Sequence, residues 1–404
     1  MANEETRRQL LREIGDYLFT CFQWASSFDD GHGHFNVLAL KKPVFPGLEA
    51  RILAYQRATN PVFARYCDVA GVPDEPKGLL DWYPLPVECF KRASVCPFPV
   101  DRSVATFYSS GTTTDARSVH RFLDLGLMQR SIVYQYANLI GRAILPGTHI
   151  LSLMPSAQDN PHSSLGYMIQ YLMDSVGGTQ SASFFSMENG LDVEKLKATL
   201  RALSADNAPV HIMGPAFAYV HLLDALGNES LTCAPKSALL ETGGYKGKSR
   251  EMPKNELRDK LSRQLGIARD RIYGEYGMCE LSSQGYELCA LNAWADLIPE
   301  EGLFILPPWM KCIIYSPDTM RPVLPDHDGQ IALFDPCNLD SVSFILTGDI
   351  GRLVPLGARL RSTIPGHPKY ALKLYGRAPN AVPKGCSMSW DEWHQSVNAS
   401  SKAR

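Results

Sequence analysis

The sequence has little of what marks a nucleic-acid-binding, membrane-spanning or secreted protein. Its formal net charge is only −2 over 404 residues, so no charge excess argues for nucleic acid or an anionic membrane as the main partner. No window approaches the roughly 18 consecutive apolar residues of a transmembrane span. The charged N-terminal stretch predicts an amphipathic helix and not a secretion signal, so we expect a cytoplasmic protein.

Paired cysteines are also missing. The sequence has 10 cysteines but no CxxC pair, which leaves a zinc site without support. Without a secretion signal we expect reduced thiols, most of them packed as small apolar side chains. Cys386 is the exception, because it lies in the polar C-terminal stretch VPKGCSMSWDEW.

What the sequence does contain, from about residue 103 onward, is an alternation of short β-like runs and longer helical ones. VATFY, HILSL and VHIMG predict strands, and SSLGYMIQYLMDSV and KNELRDKLSRQLGI predict helices. This alternation predicts an α/β fold with layered, largely parallel sheets. KCIIYSPD and GQIALFD predict a smaller antiparallel part near the end, and residues 1–100 predict helices followed by proline-rich irregular chain.

A hydroxyl-rich loop follows the run VATFY. A glycine lets backbone N–H groups approach a phosphate chain, and hydroxyls donate further hydrogen bonds. A Ser/Thr-rich surface turn is the alternative interpretation. The candidate phosphate-binding residues are Ser109, Ser110, Gly111, Thr112 and Thr113, followed by the positive charge of Arg117.

Two further stretches could complete a nucleotide site. LLETGGYKGKSR places Gly243 and Gly244 after a strand, where a flat ring could lie against the backbone; a turn with solvated charges is the alternative. IYGEYGMCELSS contains Tyr276, Gly277 and Glu280. The Glu280 carboxylate could hold Mg²⁺ against a triphosphate, or it could cap a helix.

The fourth stretch is ILTGDIGRL. It places Asp349 between two glycines after an apolar run, where the carboxylate could accept hydrogen bonds from both hydroxyls of a ribose. A hairpin turn of the Asp-Gly type is the alternative.

In this order and spacing, the four stretches resemble the acyl-adenylate-forming superfamily, which contains acyl-CoA synthetases, luciferases and the adenylation domains of peptide synthetases. GGYKGKSRE, YGMCELSSQGYE and GRAPNAVPKGCS further resemble the acyl-protein synthetases of the bacterial bioluminescence fatty-acid reductase complex. The resemblance implies that the loop, Gly243, Gly244, Tyr276, Gly277 and Asp349 bind ATP. It also implies that Glu280 holds Mg²⁺ and that Glu280 and Arg117 assist catalysis.

Three residues depart from the superfamily pattern: Thr114 replaces a glycine, Arg117 replaces a lysine, and Cys279 replaces a threonine. The sequence also ends soon after YGR, where the superfamily continues into a small domain with a catalytic lysine. Acyl-protein synthetases share that shortening. The resemblance therefore implies a large domain over residues 1–372 and a shortened tail over residues 373–404.

The resemblance gives Cys386 a catalytic role as the thiol that takes the acyl group, with Gly385 supplying flexibility and Lys384 lowering the thiol pKa. An exposed cysteine without a role is the alternative. Residues 156–174 would line the acyl pocket together with Gly244, and His162 could orient the carboxylate. His120, just after the hydroxyl-rich loop, could contact that loop.

The resulting hypothesis is ATP- and Mg²⁺-dependent activation of a carboxylic, preferably fatty, acid to acyl-AMP, followed by transfer to Cys386 and then to a protein partner. That partner would be a reductase, a transferase or a carrier protein. One alternative is a ligase that transfers a fatty or aromatic acyl group to coenzyme A or to a phosphopantetheine thiol. A second alternative is a non-catalytic acyl- or nucleotide-binding protein.

Overall fold

The computed structural model describes residues 2–26, 45–109, 117–140, 147–243, 252–288, 302–358, 361 and 368–377. Its helices in this part of the chain are α1 (Ala2–Ser26), α2 (Leu48–Thr59), α3 (Pro61–Ala70), α4 (Cys89–Arg92), α5 (Gly126–Leu139), α6 (Ser164–Val176), α7 (Val193–Ala205), α8 (Ala216–Leu226) and α9 (Lys254–Leu265). None of these helices has the length and apolar character needed to cross a membrane.

The strands of the first half are β1 (Leu85–Pro86), β2 (Ala105–Tyr108), β3 (Val119–Phe122), β4 (His149–Pro155), β5 (Ala182–Ser186), β6 (Gly190–Leu191), β7 (Val210–Pro215) and β8 (Ala238–Thr242). Those of the second half are β9 (Ile272–Tyr276), β10 (Gly285–Glu287), β11 (Leu303–Ile305), β12 (Lys311–Tyr315), β13 (Gly329–Phe334), β14 (Phe344–Pro355) and β15 (Tyr370–Arg377). Thirteen of them form one sheet, while β2 and β3 form a separate hairpin.

The large sheet has a parallel part and an antiparallel part. Strands β5, β4, β7, β8 and β9 are parallel neighbours, and every residue of β7 and β8 is buried. Such two-sided burial is expected when helices cover both faces of a parallel sheet. The predicted α/β fold is thereby confirmed.

Beyond β9 the sheet continues through β10, β11, β15, β14, β13 and β12, with antiparallel pairing throughout. The two stretches predicted as late antiparallel strands are β12 and β13, which pair with each other. Strand β15 crosses the predicted boundary at residue 372 and pairs with β14 up to Arg377, so the main sheet extends at least that far.

The N-terminal helices pack against the antiparallel part and share its apolar core. Asn60 begins α3 by accepting hydrogen bonds from the N–H groups of Val62 and Phe63, with Pro61 in the first turn. Arg7 in α1 forms a buried bidentate pair with Asp340, with both N···O distances at 2.7 Å. These contacts join the two ends of the described chain.

The hairpin-turn alternative for Asp349 is wrong. Asp349 lies inside the twelve-residue strand β14, and the pairing with β15 shifts register between Ile350 and Gly351. Apolar residues continue the strand on both sides of the Gly-Asp-Ile-Gly segment. A bulge therefore absorbs the glycines without reversing the chain.

Candidate active site

The predicted adenine segment and the Tyr-Gly motif meet at the carboxyl ends of two parallel strands. Thr242 ends β8 and its hydroxyl donates to Glu275 in β9, with an Oγ1···Oε2 distance of 2.8 Å. Gly243 follows with a φ of 68°, a left-handed conformation that favours glycine. The carboxyl ends of parallel strands are where open α/β sheets bind ligands, so Gly243 and Tyr276 lie where a nucleotide is expected.

Gly277 follows Tyr276 and is exposed. A Cβ atom there would lie 2.2 Å from Oε1 of Glu275, the far end of a flexible side chain that would have to move aside. With glycine, the backbone beside Tyr276 stays accessible. Gly244, the other predicted adenine contact, lies outside the described residues.

The Tyr-Gly motif and the Thr-Gly-Asp motif are joined by a hydrogen bond. The Tyr276 hydroxyl donates to Oδ2 of Asp349 over 3.0 Å, and both residues are buried. Burial raises the pKa of the Asp349 carboxyl, against which the Tyr276 hydroxyl and the positive charge of Arg377 act. Two motifs 73 residues apart are thus brought into one site.

Arg377 was not among the predicted site residues. Its Nε lies 3.9 Å from Oδ1 of Asp349, at the end of β15. The YGR segment was noted in the sequence only as the place where the superfamily continues. No local sequence pattern indicates that the strand ending at YGR brings Arg377 close to the Asp349 carboxylate.

The structure describes only the two ends of the hydroxyl-rich loop. The Ser109 N–H donates to the Ser118 carbonyl (3.0 Å), and the Ser118 N–H donates to Ser109 Oγ (2.9 Å). These two bonds close the neck of the β2–β3 hairpin, while Ser109 still has its own O–H to donate. Arg117 is exposed beside this neck, and Ser110, Gly111, Thr112 and Thr113 lie outside the described residues.

Glu280 lies buried beneath that neck, with 5% of its surface exposed. Burial raises the pKa of its carboxyl, opposed by the Ser118 hydroxyl and by the positive charges of Arg377 and Lys91. The pKa of Glu88 is likewise raised by burial, and the negative charge of Glu280 raises it further. The positive charges of Lys91 and Arg377 oppose the rise in the pKa of both carboxyls. Sequence reasoning did not identify Glu88 or Lys91.

The donor set fits a magnesium ion shared with substrate phosphates. Ser118 Oγ is buried and has no hydrogen bond of good geometry among the described residues, although it is close enough to lower the Glu280 pKa. Carboxylate and hydroxyl oxygens are ligands that Mg²⁺ prefers, and Mg²⁺ is commonly bound by one or two carboxylates together with phosphates. Within the described ranges, no three His, Cys, Asp or Glu side chains form a metal site by themselves.

Both ring nitrogens of His120 bond to residues outside the hydroxyl-rich loop. Residues 110–116 of that loop lie outside the described part of the chain, so the predicted contact with it stays a prediction. It is 1% exposed, with Nδ1 2.9 Å from the Cys279 carbonyl oxygen and Nε2 2.8 Å from Ser341 Oγ. Burial lowers its pKa to about 4, so the ring is neutral near pH 7. A carbonyl only accepts, so Nδ1 carries the proton and Nε2 accepts from the Ser341 hydroxyl. Successive side chains of strand β3 point to opposite faces, and the His120 ring lies on the buried face.

A buried polar segment, residues 335–343, supports the Glu280 motif from below. Asn338 Nδ2 donates to the Glu280 carbonyl over 2.8 Å, and Asn338 Oδ1 accepts from the Ser282 hydroxyl over 2.6 Å. Asp335 Oδ2 accepts from the N–H groups of Ser282 and Ser283. The only sequence signal for this segment is its polar composition, DPCNLDSVS, between two buried strands.

His162 lies beside the strand that leads into the loop. Its Nδ1 is 2.8 Å from the Thr106 carbonyl oxygen, and its exposed ring packs 4.8 Å from that of Tyr108. Helix α6 begins directly after it, where Ser163 accepts a hydrogen bond from the Gly166 N–H, as predicted. His162 therefore lies against strand β2, whose end leads into the hydroxyl-rich loop. Cys386 lies outside the described residues.

No family model matches. The long-chain-fatty-acid–luciferin-component ligase of Vibrio harveyi is 19% identical over 350 residues, which cover 84% of this chain and 85% of that protein.

Among solved structures, a 2-hydroxyisobutyryl-CoA ligase in the postadenylation state, bound to R3-HIB-AMP, superimposes with a TM-score of 0.58 at 12% identity, covering 82% of this chain and 68% of that one. An open conformation of the same ligase with 2-HIB-AMP and CoA gives a TM-score of 0.56 at 12% identity, covering 82% and 70%. ATP-bound MatB from Rhodopseudomonas palustris gives 0.45 at 16% identity, and the match spans 70% of this chain but only 49% of that one.

These comparisons agree with the resemblance inferred from the four motifs. The alignment with the Vibrio harveyi ligase runs along most of both chains, and the superposition on the 2-hydroxyisobutyryl-CoA ligase includes most of the described fold. The chain has the fold of the acyl-adenylate-forming ligases and is similar in sequence to the acyl-protein synthetases.

Proposed function

We propose that the chain is an AMP-forming acid–thiol ligase that activates a carboxylic acid with ATP. The observation that carries this proposal is the meeting of Tyr276, at the carboxyl end of β9, with Asp349, whose carboxyl its hydroxyl binds. The buried Glu280 carboxyl belongs to the same region, because the positive charge of Arg377 acts on the pKa of both carboxyls. The ligase activity named for the Vibrio harveyi relative supports the same assignment.

In the proposed reaction a carboxylate oxygen of the acid attacks the α-phosphorus of ATP. The bond from that phosphorus to the bridging oxygen of the β-phosphate breaks, so that acyl-AMP and pyrophosphate form. Asp349 accepts hydrogen bonds from the ribose hydroxyls, and the backbone at Gly243 and Gly277 lies against the adenine. The loop residues Ser109 to Thr113, together with Arg117, donate to the phosphates and hold the departing pyrophosphate.

Glu280 has the electrostatic role in this step. Magnesium, when bound there, would offset negative charge on the reacting phosphates. The buried carboxylate has little water around it, so its interaction with a cation is stronger than at the surface. The Ser118 hydroxyl lies beside Glu280 and extends the same oxygen-rich surface toward the loop.

The acid is proposed to be a fatty acid. An apolar core lies between the sheet and helices α5 and α6, and it includes the α6 residues Met168, Ile169, Leu172 and Met173. His162 and Gly244 are the proposed contacts at the carboxylate end. Apolar side chains of this kind suit an alkyl chain, and the long-chain fatty acid in the name of the Vibrio harveyi relative supports this choice.

The proposed acceptor is the Cys386 thiolate. It would attack the carbonyl carbon of acyl-AMP, form a thioester and release AMP, before the acyl group passes to a protein partner. Burial raises the pKa of the thiols of Cys67, Cys233 and Cys312 to about 12, which disfavours their reactive thiolate form. These described thiols are therefore poor acceptors, which supports assigning the role to the GCS motif.

The test is acid-dependent exchange of labelled pyrophosphate into ATP, measured with a panel of fatty and aromatic acids. We expect exchange to depend on both the acid and Mg²⁺. Absence of exchange with every acid, while ATP still binds, would favour the non-catalytic alternative.

The acceptor is tested separately by intact-protein mass after incubation with ATP and the best acid. Wild type should gain an acyl adduct that hydroxylamine removes. Cys386→Ser should lose the adduct and retain the exchange activity, because serine is a far weaker nucleophile than a thiolate. If wild type gains no adduct but forms acyl-CoA when coenzyme A is added, the coenzyme A ligase alternative is correct.

A further inference from the structure

We propose that His120 and Asn338 are positioning residues that fix the direction of the Glu280 carboxylate toward the metal and the nucleotide. This inference rests on the proposed function, because it assigns Glu280 the metal-binding role. Neither residue belongs to the four motifs. His120 lies in β3, and Asn338 lies in the buried polar segment 335–343.

The two side chains form hydrogen bonds with the two peptide groups on either side of the Glu280 Cα atom. His120 Nδ1 is 2.9 Å from the Cys279 carbonyl oxygen, which belongs to the peptide before Glu280. Asn338 Nδ2 is 2.8 Å from the Glu280 carbonyl oxygen, which belongs to the peptide after it. The orientation of these two peptide planes sets φ and ψ of Glu280, and hence the direction of its Cα–Cβ bond.

The hydrogen bonds of His120 and Asn338 belong to one network. His120 Nε2 is 2.8 Å from Ser341 Oγ, and the Ser341 N–H donates to the Asn338 carbonyl over 3.1 Å. The Ser341 carbonyl accepts from Asn60 Nδ2 over 3.2 Å. Gln56 Nε2 donates to the Asn338 carbonyl over 2.9 Å. All of these residues are at most 2% exposed, so water competes little for their hydrogen bonds.

The same arrangement links Glu280 to the hydroxyl-rich loop. Ser118 closes the neck of that loop and its hydroxyl lies beside the Glu280 carboxylate. His120 is two residues further along the chain, and its ring packs 5.6 Å from that of Phe90 and 4.2 Å from that of Phe122. One short strand therefore holds both the end of the loop and the backbone of the metal-binding motif.

The molecule contains a matched control for a merely structural histidine. His211 is 0% exposed, with Nδ1 2.9 Å from the Tyr136 hydroxyl and Nε2 2.7 Å from the Tyr273 hydroxyl. Like His120, it is buried and has partners at both ring nitrogens, but those partners are tyrosines in the apolar core. Loss of His211 should reduce the stability of the fold without changing metal binding at Glu280.

The experiment compares wild type, Glu280→Gln, His120→Leu, His120→Asn, Asn338→Ala and His211→Leu. Two quantities are measured: the Mg²⁺ concentration that gives half-maximal pyrophosphate exchange, and binding of Mn²⁺–ATP followed by the electron paramagnetic resonance of Mn²⁺. The second does not require turnover. Thermal unfolding identifies the temperature at which each variant remains folded.

We expect His120→Leu and Asn338→Ala to raise the Mg²⁺ concentration for half-maximal exchange by about 10- to 100-fold, the scale for losing a residue that orients a metal ligand. Mn²⁺–ATP binding should weaken by the same factor. His120→Asn should recover part of this loss, because its amide keeps a donor near the position of Nδ1. His211→Leu should lower the unfolding temperature without changing either metal measurement.

If exchange is normal in wild type but His120→Leu keeps wild-type metal dependence, the positioning role is wrong and the ligase proposal stands. If wild type shows no exchange, yet its Mn²⁺–ATP binding depends on Glu280 and weakens in His120→Leu, the ligase proposal fails and the positioning role stands. If Mn²⁺–ATP binding in wild type does not depend on Glu280, the positioning role is wrong as well.

Discussion

The surroundings of His120 and His211 differ although the two imidazoles are equally hidden from solvent. Burial lowers the pKa of His211 to about 3 and that of His120 to about 4. His211 joins the hydroxyls of Tyr136 and Tyr273 within an apolar core. His120 instead holds a main-chain carbonyl of the Glu280 motif.

The difference shows that burial and hydrogen-bond saturation alone do not reveal what a histidine does. Both rings satisfy the general rule that buried polar groups are hydrogen-bonded. What separates them is the partner: side chains of the core in one case, and the backbone of a candidate catalytic motif in the other. Variants around His120 should therefore alter ATP and metal dependence, and variants around His211 should alter stability.

The largest effect is expected at Glu280. Glu280→Gln should lower pyrophosphate exchange by roughly 10²-fold or more, because the amide keeps the shape but not the charge that faces a cation. The unfolding temperature should not fall, since the substitution removes a buried carboxylate whose pKa is already raised by burial. Near-normal exchange at saturating Mg²⁺ would contradict the role given to Glu280.

A smaller effect is expected at Asp349. Asp349→Ala should raise the KM for ATP by roughly 10- to 100-fold, from the loss of charge-assisted hydrogen bonds of about 1.5–3 kcal/mol. The KM for the acid should change much less. Tyr276→Phe is the control, because it removes the hydroxyl that binds Asp349 but keeps the carboxylate itself. An unchanged KM for ATP in Asp349→Ala would mean that this carboxylate does not bind the ribose.

On the other side of the comparison, Tyr273→Phe should destabilise the fold by about 1–3 kcal/mol, because it leaves a nitrogen of buried His211 without its hydroxyl partner. The KM for ATP should remain close to that of wild type. Chemical denaturation and initial rates measure the two quantities independently. A large rise in the KM for ATP would show that the apolar core around His211 also shapes the nucleotide site.

The weakest effect is the dependence of stability on pH. Each histidine has a folded pKa below its ordinary value of about 6.5, so below that pH the unfolded chain binds the proton more readily. Each should therefore lower the free energy of unfolding by about 1.4 kcal/mol per pH unit, from pH 6.5 down to the folded pKa of about 4 for His120 or about 3 for His211. Replacing either by leucine should reduce this slope, as measured by denaturation at several pH values. A variant with the wild-type slope would contradict the buried neutral form of that ring.

Local patterns were sufficient to predict the main strands and the places where functional residues leave them. The runs HILSL and VHIMG became β4 and β7, and Ser163 begins α6 as expected. Glycine at positions 243 and 277 follows the parallel strands β8 and β9, which is how such sheets present ligand sites. These features depend on periodicity and chain turns, both of which are encoded within a few residues.

The support beneath Glu280 could not be predicted, because it is built from residues far apart in sequence. His120 is 159 residues from the carbonyl it holds, and Asn338 is 58 residues from its own. The position of Asp349 within β14 was ambiguous for a similar reason: Gly-Asp-Ile-Gly suits a turn, and only the pairing with β13 and β15 makes it a strand. Periodicity shows that a polar residue is buried, but not which partner it meets.

The buried ion pair between Arg7 and Asp340 also determines when the N-terminal helices can complete their contacts during synthesis of the chain. Its two residues are separated by 333 positions, and Gln56 and Asn60 find their partners 282 and 281 positions later. At about 5–20 residues per second, a ribosome takes roughly 15 to 70 seconds to traverse such a distance. Throughout that interval the side chains of Arg7, Gln56 and Asn60 lack these partners, although α1 can already pack against α5. Contacts of such long sequence separation slow folding in general, so the N-terminal helices must avoid misassociation until residues 338–341 have been made.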